Sequence, residues 1–136
     1  MEQSAIRAAL AEAASTVPGL RTFPNMPDQV NPPVFFPGEI ITDYDLVPEG
    51  GFDQLEITCH VYTSTVDTRS GSQLLDGYLA RTGTHSVKAA VERDASLGGL
   101  CTTLRVERVT GYARYQVPPI DQLFFGARLT VRVWGP

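Results

Sequence analysis

Residues 122–134 read Gln122-Leu123-Phe124-Phe125-Gly126-Ala127-Arg128-Leu129-Thr130-Val131-Arg132-Val133-Trp134. Leu123, Phe125, Ala127, Leu129, Val131 and Val133 share one parity, and Phe124, Gly126, Arg128, Thr130, Arg132 and Trp134 share the other. Successive side chains of a strand point to opposite faces, so the stretch predicts a strand with one core face and one mixed face. Upstream, Thr103 to Gln116 alternates in the same way and pairs with it as a long antiparallel hairpin through Val117-Pro118-Pro119-Ile120-Asp121. The phase of this partner slips between Val106 and Val109, which predicts a bulge near Arg108, with Gly111 as a second candidate. Thirteen extended residues span ~43 Å, whereas a domain of this size is only about 37 Å across. Such a hairpin leaves an edge or a tip available to a neighbour.

Working outward, Phe52 to Ser64 alternates as cleanly, with Leu55, Ile57, Cys59 and Val61 on one face and Glu56, Thr58, His60 and Tyr62 on the other. It pairs with Glu39 to Leu46 through the turn Val47-Pro48-Glu49-Gly50-Gly51. Five prolines lie between Leu20 and Gly38, and each removes a ladder donor, so only Arg21 to Phe23 and Val34 to Phe36 are candidates for short or edge strands there. Helical spacing marks three other segments. Ser4 to Thr16 places Ile6, Ala9, Leu10 and Ala13 on one stripe; Ser72 to Ala80 turns Leu74, Leu75, Tyr78 and Leu79 inward; a helix capped by Thr84 or Ser86 buries Val87, Ala90 and Val91. Asp67 to Gly71 resets the period, and Leu97-Gly98-Gly99-Leu100 is a stop. The order is helix, strands, two helices, two strands. It predicts an α+β fold, a mostly antiparallel or mixed sheet with helices packed on one face, in a single domain over 1–136.

The composition narrows function. The chain has 136 residues, is 43% hydrophobic and 19% charged, and carries a net charge of -4. That acidity argues against a protein gripping nucleic acid by its phosphates. No apolar run approaches the roughly 18 residues of a membrane span, and the N-terminus lacks the basic start of a secretory signal. Cys59 and Cys101 lack the companions of a zinc site or a disulfide framework, so no metal is expected and reduced thiols are. Cys59 and His60 are adjacent, but on a strand they face opposite ways. Cys59 reads as a small core residue more readily than as a nucleophile. The glycine pairs match no phosphate-loop spacing.

Two surfaces stand out. Arg128 and Arg132, with Phe124 and Trp134, combine on the mixed face the residue types enriched at protein interfaces, unless helices cover that face instead. Asp45, Glu49 and Asp53 gather on the first hairpin loop, either as a solvated tip or as a negative rim that keeps passing DNA from sticking and takes no part in the fold.

Several segments, taken in order, resemble the tail-terminator (minor tail) proteins of long-tailed bacteriophages, especially those infecting actinobacteria. They are the alanine-rich helix running into Val17-Pro18-Gly19-Leu20-Arg21, Pro27-Asp28-Gln29-Val30-Asn31-Pro32-Pro33, Leu75-Asp76-Gly77-Tyr78-Leu79 and Ser86-Val87-Lys88-Ala89-Ala90-Val91-Glu92. Leu97-Gly98-Gly99, Leu104-Arg105-Val106 and Gly126 to Trp134 complete the series, and Val34-Phe35-Phe36-Pro37 departs from it. The resemblance implies a structural virion protein that forms a hexameric ring, without catalytic residues or cofactor. It would cap the completed tail tube and offer a surface to the head-tail connector. Its partners would be copies of itself, the tail-tube protein and the connector, with DNA passing through the channel without specific binding and the loop of Asp45, Glu49 and Asp53 facing that channel or the last tube ring. It would be assembled in the bacterial cytoplasm and sit at the head-proximal end of the tail. A neck or tail-tube subunit is the neighbouring alternative, and a small-ligand or enzymatic domain the more distant one.

Overall fold

The computed structural model describes residues 1–65, 68–117 and 122–136. The elements are α1 (Gln3–Ala14), β1 (Arg21–Thr22), β2 (Val34–Asp43), β3 (Asp53–Ser64), α2 (Thr68–Leu79), α3 (Val87–Glu92), β4 (Thr103–Val117) and β5 (Gln122–Gly135). The five strands form one sheet in the order β1-β2-β3-β5-β4, with β1 parallel to β2 and every other pair antiparallel. The expected α+β class with a mixed sheet is what the chain adopts.

The two strands that alternate most cleanly are the central ones. β3 and β5 pair without a break from Asp53↔Gly135 to Ser64↔Phe124, which puts Leu55, Ile57, Cys59 and Val61 beside Val133, Val131, Leu129 and Ala127 on one face. All of these are buried. The helices supply the opposing layer: Ile6, Leu10 and Ala14 of α1, Leu75 and Tyr78 of α2, and Val87, Ala90 and Val91 of α3 belong to that same core. Helices α1 and α3 are fixed by local caps. Glu2 caps α1 by accepting from the N–H groups of Ser4 at 2.8 Å and Ala5 at 2.9 Å. Ser86 caps α3 through Ala89 N–H at 3.1 Å and donates its hydroxyl to Ala80 O at 2.6 Å, tying α3 to the end of α2. Glu92 then clips α3 to the sheet, accepting from Lys88 at 2.5 Å and from Val106 N–H at 2.8 Å.

Three expectations change. Val34–Phe36 and the first hairpin strand are one continuous β2, which runs through Pro37 and shifts register between Pro37 and Ile40. It ends at Asp43 instead of Leu46. The backbone of Pro33 and Phe35 accepts from Arg21 and Phe23 of the β1 side. By strand alternation Pro37 turns its donorless nitrogen to that same side, past the end of β1, where no ladder bond is lost. Helix α2 starts at Thr68, inside the stretch read as a reset. Its inward face is Gly71, Leu75 and Tyr78, all buried, while Leu74 is 37% exposed. Gly71 lies so close to Ser64 that a Cβ there would meet its carbonyl oxygen at 2.0 Å. Leu123, on the core parity of β5, is 46% exposed. The bulges expected in β4 are present, as register shifts between Val106 and Arg108 and between Thr110 and Ala113, the second containing Gly111 at φ 65°. The proposed turn over Pro118–Asp121 and the residue Asp67 lie outside the described residues.

Candidate interaction surface

The three helices occupy one face of the sheet, so among the described residues the other face carries no helix. Across it runs an aromatic band built by register. Phe36 of β2 is opposite His60 of β3, His60 is opposite Arg128 of β5, Tyr62 is opposite Gly126, and Phe124 is opposite Tyr115 of β4. The His60 ring stacks on Phe36 at 5.2 Å and on Tyr62 at 6.1 Å. Tyr62 meets Tyr115 edge-on at 5.8 Å and Phe124 at 6.2 Å, and the Arg128 guanidinium lies 5.6 Å from the Tyr115 ring centre. Such ring pairs are worth about 0.5–1.5 kcal/mol each beyond their buried area. Gly126 makes the band possible, because a side chain there would occupy the space of the Tyr62 and Tyr115 rings. Burial, and then the Arg128 charge, hold the His60 imidazole below its ordinary pKa.

Next to the band is an ionic and indole end. Arg132 donates from Nε to Glu107 at 2.6 Å and from Nη2 to Glu56 at 3.4 Å. Trp134 Nε1 donates to Gln54 Oε1 at 3.0 Å. Of the four interface residues expected from sequence, Arg128 is exposed and Arg132 and Trp134 are half-buried, all on this open face. Phe124 departs from the expectation. It shares the face but is 2% exposed, enclosed by the subunit's own residues, Tyr62 among them, so it supports the patch without offering a free ring. Phe36, His60, Tyr62 and Tyr115 were not among the interface residues expected from the sequence. The parity of β3 already placed His60 and Tyr62 on this face, whereas Phe36 needed β2 to run unbroken through Pro37.

The acidic loop is more structured than its composition suggests. Asp45 has φ 56°; its N–H donates to Asp53 Oδ1 at 3.0 Å, and its own Oδ1 accepts from Gly51 N–H at 3.1 Å. Leu46 N–H closes the turn on Phe52 O at 2.7 Å. Asp45 and Asp53 thus satisfy backbone donors of the turn instead of standing clear of the fold, and Glu49 is exposed. Beside them Tyr44, Leu46 and Val47 are 73, 45 and 38% exposed. One sequence signal was missed: residues 22–68 contain no lysine or arginine, while 69–136 contain nine. The sheet accordingly has an acidic β2–β3 side and a basic β4 side.

Cys59 is fully buried on the core face, and burial pushes its thiol up to about 12, so no thiolate forms at neutral pH. His60 points to the opposite face, away from it. Cys101 is buried as well, donates to Ala95 O at 3.3 Å, and is free of any disulfide, like Cys59. Among the described residues no three His, Cys, Asp or Glu side chains converge as metal ligands, and no helix is long and apolar enough to cross a membrane. No protein-family model matches this chain, and no curated protein matches it.

Proposed function

We propose that this chain is a tail-terminator subunit: a structural protein that assembles as a ring on the finished tube of a long-tailed phage and offers the tail side of the head-tail joint. The observation that carries the reading is the sheet face without helices, where Arg128, Arg132 and Trp134 lie beside an ordered aromatic band. The order of motifs that resembles tail terminators supports it. A domain that packs helices on one face and leaves aromatic and arginine side chains on the other has the composition of an interface centre. The partners in this reading are further copies of the chain, the tail-tube protein and the head-tail connector. DNA passes through the ring without specific contacts, in keeping with a net charge of -4. The ring would be assembled in the bacterial cytoplasm and retained at the head-proximal end of the tail.

The test is a solution mass by sedimentation velocity, followed by addition of tail-tube protein and electron microscopy. Discrete rings, alone or only on tube ends, are expected. Long filaments would instead identify a tube subunit, because head-to-tail contacts that do not close grow without limit. Trp134→Ala should weaken assembly by at least ~2 kcal/mol, as truncation of a central interface tryptophan commonly does, with the subunit still folded. An unfolded Trp134→Ala subunit would assign the indole to the fold and remove it from the interface.

A further inference from the structure

Two features outside the open face pair apolar side chains with opposite charge. The first is the β2–β3 hairpin tip. Three large side chains within four residues, Tyr44, Leu46 and Val47, are 73, 45 and 38% exposed. Single exposed apolar residues are ordinary, but these are displayed on a loop held by the Asp45–Asp53 and Gly51–Asp45 bonds and by Leu46 N–H on Phe52 O. The loop is thus an ordered knob whose display costs little further entropy on binding. The charged residues of the hairpin tip itself are all acidic, Asp43, Asp45, Glu49 and Asp53, and residues 22–68 contain no lysine or arginine.

The second is a hollow of about 210 Å³ on the other side of the sheet, where Leu79, Val106 and Val109 are apolar, Arg81, Lys88 and Arg108 are cationic, and the one carboxylate, Glu107, is paired with Arg132 at 2.6 Å. Lys88 is neutralised by Glu92 at 2.5 Å. Arg81 and Arg108 make no ion pair among the described residues and are exposed. A larger hollow of about 340 Å³ between α1 and α3 carries Glu12 and Asp94 against the single cation Arg93, a net negative wall that disfavours an acidic knob. Charge therefore selects the smaller hollow.

We propose that the Tyr44–Val47 knob of one copy seats in the Val109 hollow of a second copy of this chain, with Arg81 and Arg108 facing the acidic residues of the tip. The knob cannot reach its own hollow. β2 and β4 are three strand spacings apart in the order β1-β2-β3-β5-β4, ~14 Å across the sheet, and the knob lies at the hairpin end beyond Asp43 and Asp53. Knob and hollow are different surfaces, so the contact is heterologous and builds head-to-tail assemblies that close into a ring if the rotation permits. The inference deepens the ring reading and rests on it for self-association, while naming a contact that reading does not require.

Leu46→Cys and Val109→Cys proteins, mixed under mild oxidation, test the pairing directly, since both positions are exposed and the native Cys59 and Cys101 are buried. A disulfide-linked dimer is expected from the mixture and not from either protein alone. Independently, Arg81→Glu with Arg108→Glu should weaken self-association at least about tenfold at low salt, because like charges are brought together at the contact. Adding Asp43→Lys and Glu49→Lys to the same chain should recover most of that loss. Ring-sized species in sedimentation, with no excess cross-link in the mixture and no response to the charge reversal, would overturn this contact and leave the ring reading standing. A protein that gives neither cross-link nor any species above monomer at its highest soluble concentration overturns the contact too, and the tube-binding experiment then decides the terminator reading separately.

Discussion

Replacing Gly126 by alanine tests whether the aromatic band is a packed unit. Gly126 has an ordinary strand conformation, so a methyl group there meets no backbone penalty and should by itself gain the ~0.5–1 kcal/mol by which alanine exceeds glycine in a regular element. The space decides otherwise. A Cβ at Gly126 would stand 2.5 Å from Tyr62 Cδ1 and 2.9 Å from Tyr115 Cδ2, where ordinary contact begins at 3.4 Å. Both rings would have to move by about 0.5–1 Å, and Tyr62 is hemmed in by His60, Phe36, Phe124 and Tyr115. Overpacking of this kind costs typically ~1–3 kcal/mol, and displacing Tyr62 forfeits part of several ring pairs at ~0.5–1.5 kcal/mol each. Set against the propensity gain, the net is a loss of about 1–3 kcal/mol, read as a lower midpoint in urea unfolding with an unchanged slope. The double variant Gly126→Ala with Tyr62→Ala should be less destabilised than the sum of the two single changes, since removing the ring frees the space the methyl needs. A Gly126→Ala protein as stable as the parent, or a strictly additive double variant, would refute the packed band.

Three further outcomes follow from the geometry. Asp53→Ala should lower stability by about 1 kcal/mol by removing the acceptor of Asp45 N–H, whereas Glu49→Ala at the exposed tip should stay within about 0.5 kcal/mol, both measured by thermal unfolding. Cys59 should resist alkylation at pH 8 in the native protein, its thiol being buried and shifted up to about 12. In denaturant without reductant two free thiols should titrate, and a native disulfide would contradict the packing of Cys59. His60 is held below its ordinary pKa of 6.5 by burial and by Arg128. The unfolded chain therefore takes up the proton first as pH falls, so stability should be undiminished above about pH 6.5 and decline below it. His60→Gln should flatten that decline, and an identical acid slope in both proteins would remove His60 as its source.

The central strands were legible because their parity is almost undisturbed: from Leu55 to Val61 and from Phe125 to Val133, every second residue is apolar and every such residue is buried. Caps were legible for the same local reason, as at Ser86. What escaped the sequence depended on neighbours. Pro37 argues against a strand until the end of β1 shows that its missing donor faces no partner. Leu74 belongs to the apolar count of α2, but the buried face is set by Gly71, whose bare backbone lets the helix approach Ser64. In the hairpin loop, the identity of Asp45 and Asp53 suggested free charge, and only the turn geometry shows their oxygens occupied by backbone donors. Of the interface candidates, Arg128, Arg132 and Trp134 share the open face because parity alone determines which face a strand residue takes. Phe124 shares that parity too, yet burial depends on which rings stand beside it.

The edges of the sheet bear on how such a subunit can associate. β4 has no strand beyond it, and a 15-residue free edge is in principle a template for indefinite growth by strand addition. Its sequence works against that. Two register shifts interrupt the ladder within residues 106–113, and exposed Arg105, Arg108 and Arg114 place charge along it. Bulges and edge cations are the devices by which natural sheets discourage edge-to-edge pairing. The β2 edge is blunted differently, by Pro37 and by a two-residue β1. With both edges unsuited to backbone pairing, association is left to side-chain surfaces: the open face, the knob and the basic hollow. Contacts of that kind have a defined geometry and can close, whereas strand addition repeats without end. In a protein proposed to form a discrete ring, the arginines of β4 thus have two consequences, opposing growth by strand pairing and, at Arg108, supplying the charge that the acidic tip of the next copy would meet.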